Sequence, residues 1–429
     1  MRYCWGNVME PKQNKINRRN FLKTVTATSL GSVFASAHAK AEPNEPNTTQ
    51  KTQKPDLPHM PKRKLGKTGI EVPCLALGGE FNFVDNQIML RKSLEWGVSY
   101  WDTAHWYAGG NSEVGIGKFL SKNPDVRKNV FIATKASGAK NVADVDRLLA
   151  TSFKRMNTDY IDLYYGIHML SDPAMLNDEL KSWAQNAKRQ KLIRYFGFST
   201  HKNMAQCLAA AAKLDWIDAI MTSYNFRVMQ DPNMPAAIEA AHKAGIALIA
   251  MKTQGRPVWE IKSEADKWQL TEAEKKLTEQ FLKRGFTEAQ ANIKIVLNDR
   301  RFASVCVGMT NVAHLVENVA ASLDKTKMTK ADFDAFAEYA RATCTGYCAG
   351  CAHICDAALP ETPYVSEIMR YLMYYNSYGD TDRAKKLFAQ IPAGIKTRLL
   401  TADFTTAERQ CPNHLPIAKL ITLAVEKLA

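Results

Sequence analysis

Hydrophobic and polar positions between residues 74 and 323 fall into two alternating rhythms. Short runs apolar on both faces, at 74–77, 99–102, 130–134, 161–166, 195–199, 219–224, 246–251 and 304–307, predict buried parallel strands. Between them apolar residues recur every three or four positions, at 87–96, 113–120, 142–156, 174–189, 204–214, 235–243, a longer stretch before Phe302, and 312–323. That spacing predicts amphipathic helices. Eight strands alternating with eight helices fit a (β/α)8 barrel. An open doubly wound sheet is the alternative, but its G-x-G-x-x-G turn follows no early strand, and Gly78-Gly79 runs directly into Glu80. The stretch 63–72 (RKLGKTGIEV) predicts a hairpin turning at Lys67-Thr68-Gly69. After Met328 the alternation stops. The expected class is therefore α/β: a barrel over 61–325, then a small, mainly helical, cysteine-containing domain over 326–429.

The first sixty residues belong to neither unit. Asn17-Arg18-Arg19-Asn20-Phe21-Leu22 sets two arginines before a Phe-Leu pair, a mildly apolar run follows over 24–37, and Ala37, Ala39 and Ala41 offer small-residue cleavage sites. In that order the three regions resemble a twin-arginine export signal over 1–41, with a disordered basic N-terminus as the alternative. The resemblance implies a periplasmic or otherwise exported protein that crosses folded, with any cofactor already loaded. The apolar run is too short and too polar to span a bilayer stably, so no stable membrane insertion is expected. Residues 42–60 read as a flexible linker.

The chain of 429 residues carries a net charge of +14. Its basic residues are spread along the sequence without a K/R-rich block or interleaved aromatics, which indicates a solvated basic surface and no nucleic-acid partner.

In a parallel barrel the chemistry collects where strands end. Asp102 ends the second strand, Lys135 the third and His168 the fourth, while Tyr107 lies in the loop after the second. The four complement one another. A lysine ammonium stabilises a phenolate, a carboxylate keeps the lysine charged and oriented, and a histidine can direct a substrate oxygen. Together they can protonate a carbonyl oxygen as a hydride reaches its carbon. Taken singly, Asp102 has an ordinary reading as a helix cap and Lys135 as a salt bridge.

RKLGKTGIEVP, WDTAHWY followed by NSE, FIATKA, DYIDLYYGIH, YFGFST and VGMTNVAHLVEN make the region 61–323 resemble an aldo-keto reductase. The resemblance implies a barrel, a nicotinamide cofactor, a small carbonyl or alcohol substrate, Tyr107 as general acid, Lys135 and Asp102 as its tuning pair, and His168 as the residue that orients the carbonyl. It places Ser199 and Asn225 at the carboxamide of the cofactor and Met251 where the family stacks a tyrosine on the ring. Backbone N–H groups from Gly308 to Thr310 suit a phosphate, and Glu317 and Asn318 match the adenine contacts. Thr200 and Met221 replace an asparagine and a glutamine of the family pattern. Gly308 and His314 stand where many members grip a 2′-phosphate, which leaves NADP(H) and NAD(H) both open, with Lys252 as a substitute cation. His105, Trp106 and Met169 are expected around the substrate, with a lid after Gly255. The competing reading is a non-catalytic exported barrel that binds a small ligand or a redox partner.

The tail carries Cys344, Cys348, Cys351 and Cys355 in CTGYCAGCAHIC, and Cys411 in QCPNHLPI. An iron–sulfur cluster, a zinc ion or disulfides each suit such spacing. The run differs from the bacterial ferredoxin spacing in its first gap and in Asp356 at the proline position. With Cys411-Pro412 as the late element, and RYLMYYNSYGD between, the tail resembles the ferredoxin-like domain of some exported aldo-keto reductases. That resemblance implies one [4Fe–4S] cluster on Cys344, Cys348, Cys351 and Cys411, with Cys355 as spare or substitute. Thr401, Phe404 and Ala407 occupy positions where a second cluster would need cysteines.

Overall fold

The computed structural model describes residues 59–258 and 272–429. The expected export signal and nearly all of the linker lie outside the described residues, as does most of the expected lid.

Eight parallel strands close into a barrel in sequence order. A short antiparallel hairpin precedes it, β1 (Lys62–Lys64) pairing with β2 (Glu71–Pro73). The barrel strands are β3 (Leu75–Gly78), β4 (Tyr100–Asp102), β5 (Phe131–Lys135), β6 (Ile161–Ile167), β7 (Ile193–Thr200), β8 (Ala219–Ser223), β9 (Ala247–Met251) and β10 (Phe302–Gly308), with β10 returning to pair with β3. The apolar runs have a direct cause. On β6, Leu163 and Tyr165 fill the barrel interior while Ile161, Tyr164 and Ile167 pack outward against helices, so every position is buried. Leu65 and Val72 of the hairpin join the interior cluster.

The surrounding helices are α1 (Gln87–Glu95), α2 (Asn111–Lys122), α3 (Val142–Met156), α4 (Asp178–Arg189), α5 (Met204–Ala211), α6 (Met234–Lys243), α7 (Glu272–Lys283), α8 (Glu288–Asn298) and α9 (Val312–Leu323). In α3 the Asn141 side chain caps the Asp144 N–H, and Val145, Leu148, Leu149, Ser152 and Met156 form the buried stripe. The helix expected over 174–189 starts only at Asp178, because Pro173 sets a tight 3-10 turn and Asn177 supplies the cap. Among the described residues, the long stretch before Phe302 holds two helices, separated at Gly285 (φ +75°), with a Thr287–Gln290 capping box opening the second.

The tail adds α10 (Lys330–Ala342), α11 (Ala352–Ala358), α12 (Val365–Ser377), α13 (Thr381–Ala389), α14 (Ala393–Leu399), α15 (Thr405–Gln410) and α16 (Ile417–Leu428). Phe336, Ala340 and Tyr347 still belong to the barrel's outer core. A separate core runs from Cys355 to Leu428 and takes in Val258. No helix among the described residues is long and apolar enough to cross a membrane.

The tail docks on the loops that leave β7, β8 and β9 at the barrel mouth. Backbone bonds join Asn203 N–H to Gly350 C=O at 2.7 Å and Val258 N–H to Gly346 C=O at 2.8 Å. Lys202 pairs with Glu367 at 2.6 Å, and the Arg227 guanidinium donates to the Thr343 carbonyl at 3.0 Å. Gly350 has φ +79°, and a Cβ there would sit 2.3 Å from the His201 carbonyl oxygen, so the approach requires glycine.

Candidate active site

Strand pairing sets the mouth. Asp102 lies level with Ala133, and residues 131, 133 and 135 share one face, so Lys135 rises one inward step above Asp102 and leans back onto it. Its ammonium donates to Asp102 Oδ1 at 2.5 Å and to the Thr103 carbonyl at 2.8 Å, with both side chains almost fully buried. Burial pushes the Asp102 carboxyl above its ordinary range, and Lys135 draws it partly back. Asp102 Oδ2 is buried without a hydrogen-bond partner.

Tyr107 stands in the loop above this pair. The Lys135 ammonium lies 4.7 Å from the centroid of its ring, and the His168 ring meets it edge-on at 5.9 Å. The loop is fixed from below. Glu113 is fully buried, accepts from Thr134 Oγ1 and Ser152 Oγ, and pairs with Arg155, which also donates to the His105 carbonyl. Glu113 therefore holds the loop and has no face toward the mouth. Ala108 (φ +50°) and Met169 (φ +75°) are left-handed beside Tyr107 and His168, strain of a kind that collects at functional sites.

His168 Nδ1 contacts Ser137 Oγ at 2.8 Å, which leaves Nε2 for a ligand. Burial, then Lys135, Arg383 and Lys252, hold the imidazole well below its ordinary range, so it is neutral at pH 7. Burial raises the Tyr107 phenol well above its ordinary value; Glu80 and Asp102 add to this and Arg383 offsets part. Among the described residues the Tyr107 hydroxyl has no hydrogen-bond partner. Trp106 lies 5.3 Å from the His168 ring.

The expected cofactor residues are distributed less simply. Ser199 is buried and its Oγ accepts from the Met169 N–H at 3.1 Å, leaving its proton free to donate. Asn225 is fully engaged with its own chain: it donates to the Lys252 carbonyl and the Tyr347 hydroxyl and accepts from Arg227 and Val228 N–H. It is a strut between barrel and tail. Met251 ends β9 half-buried, and Lys252 follows with φ +54°. Gly308 faces open space and Thr310 is exposed, just before the Asn311 cap of α9. Glu317 and Asn318 are adjacent on α9, and Asn318 is a buried residue. Backbone N–H groups at the β10–α9 end suit a phosphate. The carboxamide end keeps only Ser199.

Residues of the tail complete the mouth, and the sequence reading missed them. The Arg383 guanidinium contacts Glu80 and lies 4.2 Å from the Tyr374 ring centroid, and Lys252 Nζ lies 4.9 Å from the same ring. Arg370 donates to the His201 carbonyl at 2.9 Å. The signal was present as an i, i+4, i+8 face of Arg370, Tyr374 and Tyr378 in RYLMYYNSYGD, which otherwise reads as a linking helix.

In the tail, Cys348, Cys351, Cys355 and Cys411 line one cavity with Ser366, Met369 and Pro412, while Cys344 is not in its wall. Ser366 Oγ is buried and unpartnered. Burial raises the Cys348 and Cys351 thiols and pushes Cys355 up to about 12, and each feels the neighbouring cysteines. All eight described cysteines are free thiols, and no three acidic, histidine or cysteine side chains among the described residues converge as for a single metal ion.

The model of the "Aldo/keto reductase family" matches residues 74–340. The chain belongs to that family. Among curated relatives, L-galactose dehydrogenase of Arabidopsis thaliana is 24% identical over 283 residues, spanning 60% of this chain and 87% of that protein. L-glyceraldehyde 3-phosphate reductase of Escherichia coli K12 is 25% identical over 319 residues, spanning 62% and 89%. Among solved structures, a thermostable aldo-keto reductase (Tm1743) in complex with the inhibitor epalrestat is 25% identical with a TM-score of 0.53, covering 65% of this chain and 99% of its own. The holo form of an aldo-keto reductase from Bacillus halodurans superposes with a TM-score of 0.52 at 22% identity, covering 65% and 95%. The region matched by the family model ends within α10, so it covers the barrel and leaves the cysteine-bearing helices of the tail outside it.

Proposed function

We propose that the protein is an exported oxidoreductase that reduces a small carbonyl compound, or oxidises the corresponding alcohol, with NADP(H) or NAD(H) and Tyr107 as general acid/base. The observation that carries this reading is the unpartnered Tyr107 hydroxyl beside a neutral His168 and above the buried Lys135–Asp102 pair. When bound, the nicotinamide cofactor supplies or accepts the hydride. His168 Nε2 orients the substrate oxygen, Tyr107 gives that oxygen its proton, and the charge left on the phenolate faces the Lys135 ammonium. Asp102 keeps Lys135 charged and in place. Ser199, Gly308, Thr310, Glu317 and Asn318 hold the cofactor. The relatives act by name on L-galactose and L-glyceraldehyde 3-phosphate, in keeping with a small carbonyl or alcohol substrate.

The test is titration of NADPH and NADH against the full chain, followed by turnover of an aldehyde and ketone panel. Nicotinamide fluorescence should shift on binding, and Tyr107→Phe should lower kcat by roughly 10²- to 10⁴-fold. Turnover that survives Tyr107→Phe defeats the assignment. A second reading, a ligand-binding barrel without turnover, is favoured by the engagement of Asn225 with the tail; absence of both nucleotide binding and turnover would establish it.

In the tail we assign a [4Fe–4S] cluster to Cys348, Cys351, Cys355 and Cys411. Four thiols spaced around a cavity, rather than gathered at one point, suit a cluster better than a zinc ion. Such a cluster carries electrons, and a redox partner is then expected. Export rests on Arg18, Arg19, Phe21 and Leu22. Periplasmic accumulation that is lost on changing both arginines to lysine tests it.

A further inference from the structure

Cations gather at the mouth beyond what the proton chemistry uses. Lys252 Nζ has no hydrogen-bond acceptor among the described residues; its neighbours are the Tyr374 ring at 4.9 Å and the Tyr378 ring at 5.4 Å. A ring face repays only part of the hydration that a partly desolvated ammonium gives up. Lys252 is also held at φ +54°, a left-handed backbone of the kind that collects at functional sites. Across the Tyr374 ring, Arg383 uses one nitrogen on Glu80, which leaves Nε and the second terminal nitrogen of its planar fork without an acceptor among the described residues. Arg383 reaches this place from α13, so the tail delivers it to a mouth built by the barrel.

The electrostatic surroundings agree. Lys135, Arg383 and Lys252 all act on His168, and Arg383 acts on Tyr107. Among the described residues, Asp102 is consumed by Lys135, Glu80 faces both Lys252 and Arg383, and Asp380, just before the helix of Arg383, lies 3.8 Å from it. Tyr374, although buried, is drawn below the ordinary phenol range by Lys252 and Arg383.

We propose that the tail is part of the active site, and that Arg383 and Lys252, set around the Tyr374 ring beside Tyr107 and His168, bind an anionic group on the substrate. The substrate is then a small carbonyl compound, or its alcohol, that carries a carboxylate or a phosphate. This rests on the carbonyl-reductase reading above. The fork of Arg383 suits either anion, and Lys252 supplies a point charge opposite it.

The experiment uses the full chain and matched probes: 2-oxobutyrate against its methyl ester, and glyceraldehyde 3-phosphate against glyceraldehyde. The charged member of at least one pair should have kcat/KM at least tenfold higher, and the pair showing the preference identifies carboxylate or phosphate. Arg383→Met and Lys252→Met should each collapse that ratio tenfold or more, mainly through KM, with partial recovery in Arg383→Lys. A ratio near one in the unaltered protein overturns the proposal. So does a ratio that persists in both variants, or variants that weaken NADPH binding while the ratio stands, which would give these cations to the cofactor. If no probe is turned over, calorimetric binding of 2-oxobutyrate and glyceraldehyde 3-phosphate decides. Binding lost in Arg383→Met upholds the anion site although the reductase reading has failed. Absence of binding overturns both.

Discussion

Replacing either member of the Lys135–Asp102 pair should cost far more than replacing both. At 2.5 Å the two charges attract by about 7 kcal/mol with an effective dielectric near 20. Against that stands a desolvation cost of several kcal/mol for each ion. The raised Asp102 titration shows that burial outweighs the lysine at the carboxyl. The pair therefore contributes little net stability relative to an apolar pair, but removing one partner strands the other. Asp102→Asn leaves the Lys135 ammonium with the Thr103 carbonyl at 2.8 Å and no counter-charge, and Lys135→Met leaves a carboxylate that was already short of partners at Oδ2. Each should lose about 3–5 kcal/mol, and the double variant should lose less than either single variant. Urea unfolding followed by tryptophan fluorescence, with midpoints compared at unchanged slope, measures all four proteins. Single losses under about 1 kcal/mol, or strict additivity, would show that the pair is not a coupled buried unit and that Tyr107 does not rest on it.

Cys411→Ser should abolish bound iron and sulfide in anaerobically purified protein, whereas Cys344→Ser should retain about four of each, since Cys411 lines the cavity and Cys344 does not; loss in both or neither refutes the ligand set. His168 titrates below its unfolded value of about 6.5, so the unfolded chain binds the extra proton as the pH falls through that point, and stability drops by about 1.4 kcal/mol per pH unit from this residue. The thermal midpoint between pH 6.5 and 5.5 should thus fall more steeply in the unaltered protein than in His168→Gln, and equal slopes would contradict a neutral His168. Gly350→Ala places a methyl group against the His201 carbonyl and should raise hydrogen exchange at 200–203 and 344–356, with the barrel strands unchanged.

The barrel was legible because its signal is local. Strands buried on both faces read as continuous apolar runs, and each helix carries its stripe within one window, so the elements fall within a few residues of expectation. Asp102, Lys135 and His168 were legible as mouth residues for a related reason: a residue that ends a parallel strand reaches the mouth whatever the loops do. The limits appeared where contacts span long separations. Asn225 matches a cofactor residue by position, yet its partner is Tyr347, 122 positions away. The resemblance set Cys344 ahead of Cys355 as a ligand, yet Cys355 lies in the cavity wall and Cys344 does not. No pattern within the twelve residues 344–355 distinguishes the two, because the choice is made by where Cys411 arrives. Arg383 and Tyr374 were readable as surface positions of amphipathic helices and became mouth residues only through docking.

That docking links the two halves of the molecule. One chamber between barrel and tail is lined by His201, Ser223, Lys252, Tyr347 and Arg370, and it shares Cys348, Ala349, Ser366 and Met369 with the cysteine cavity. A single layer of side chains therefore separates the sulfur-lined cavity from the mouth that holds Lys252. A brace for the tail could have been placed on any free face of the barrel. Here the cysteine loop instead occupies the side where Asn225 would meet a carboxamide, and the same segment carries Gly350 against His201. Whatever binds the four thiols fixes the position of Cys348, hence of the loop 347–350, hence of Tyr347 on Asn225. Through α12 and α13 the same docked tail sets Tyr374 and Arg383 beside Tyr107. The cysteine cavity and the mouth therefore share one docked tail, although Cys348 lies 241 positions from Tyr107.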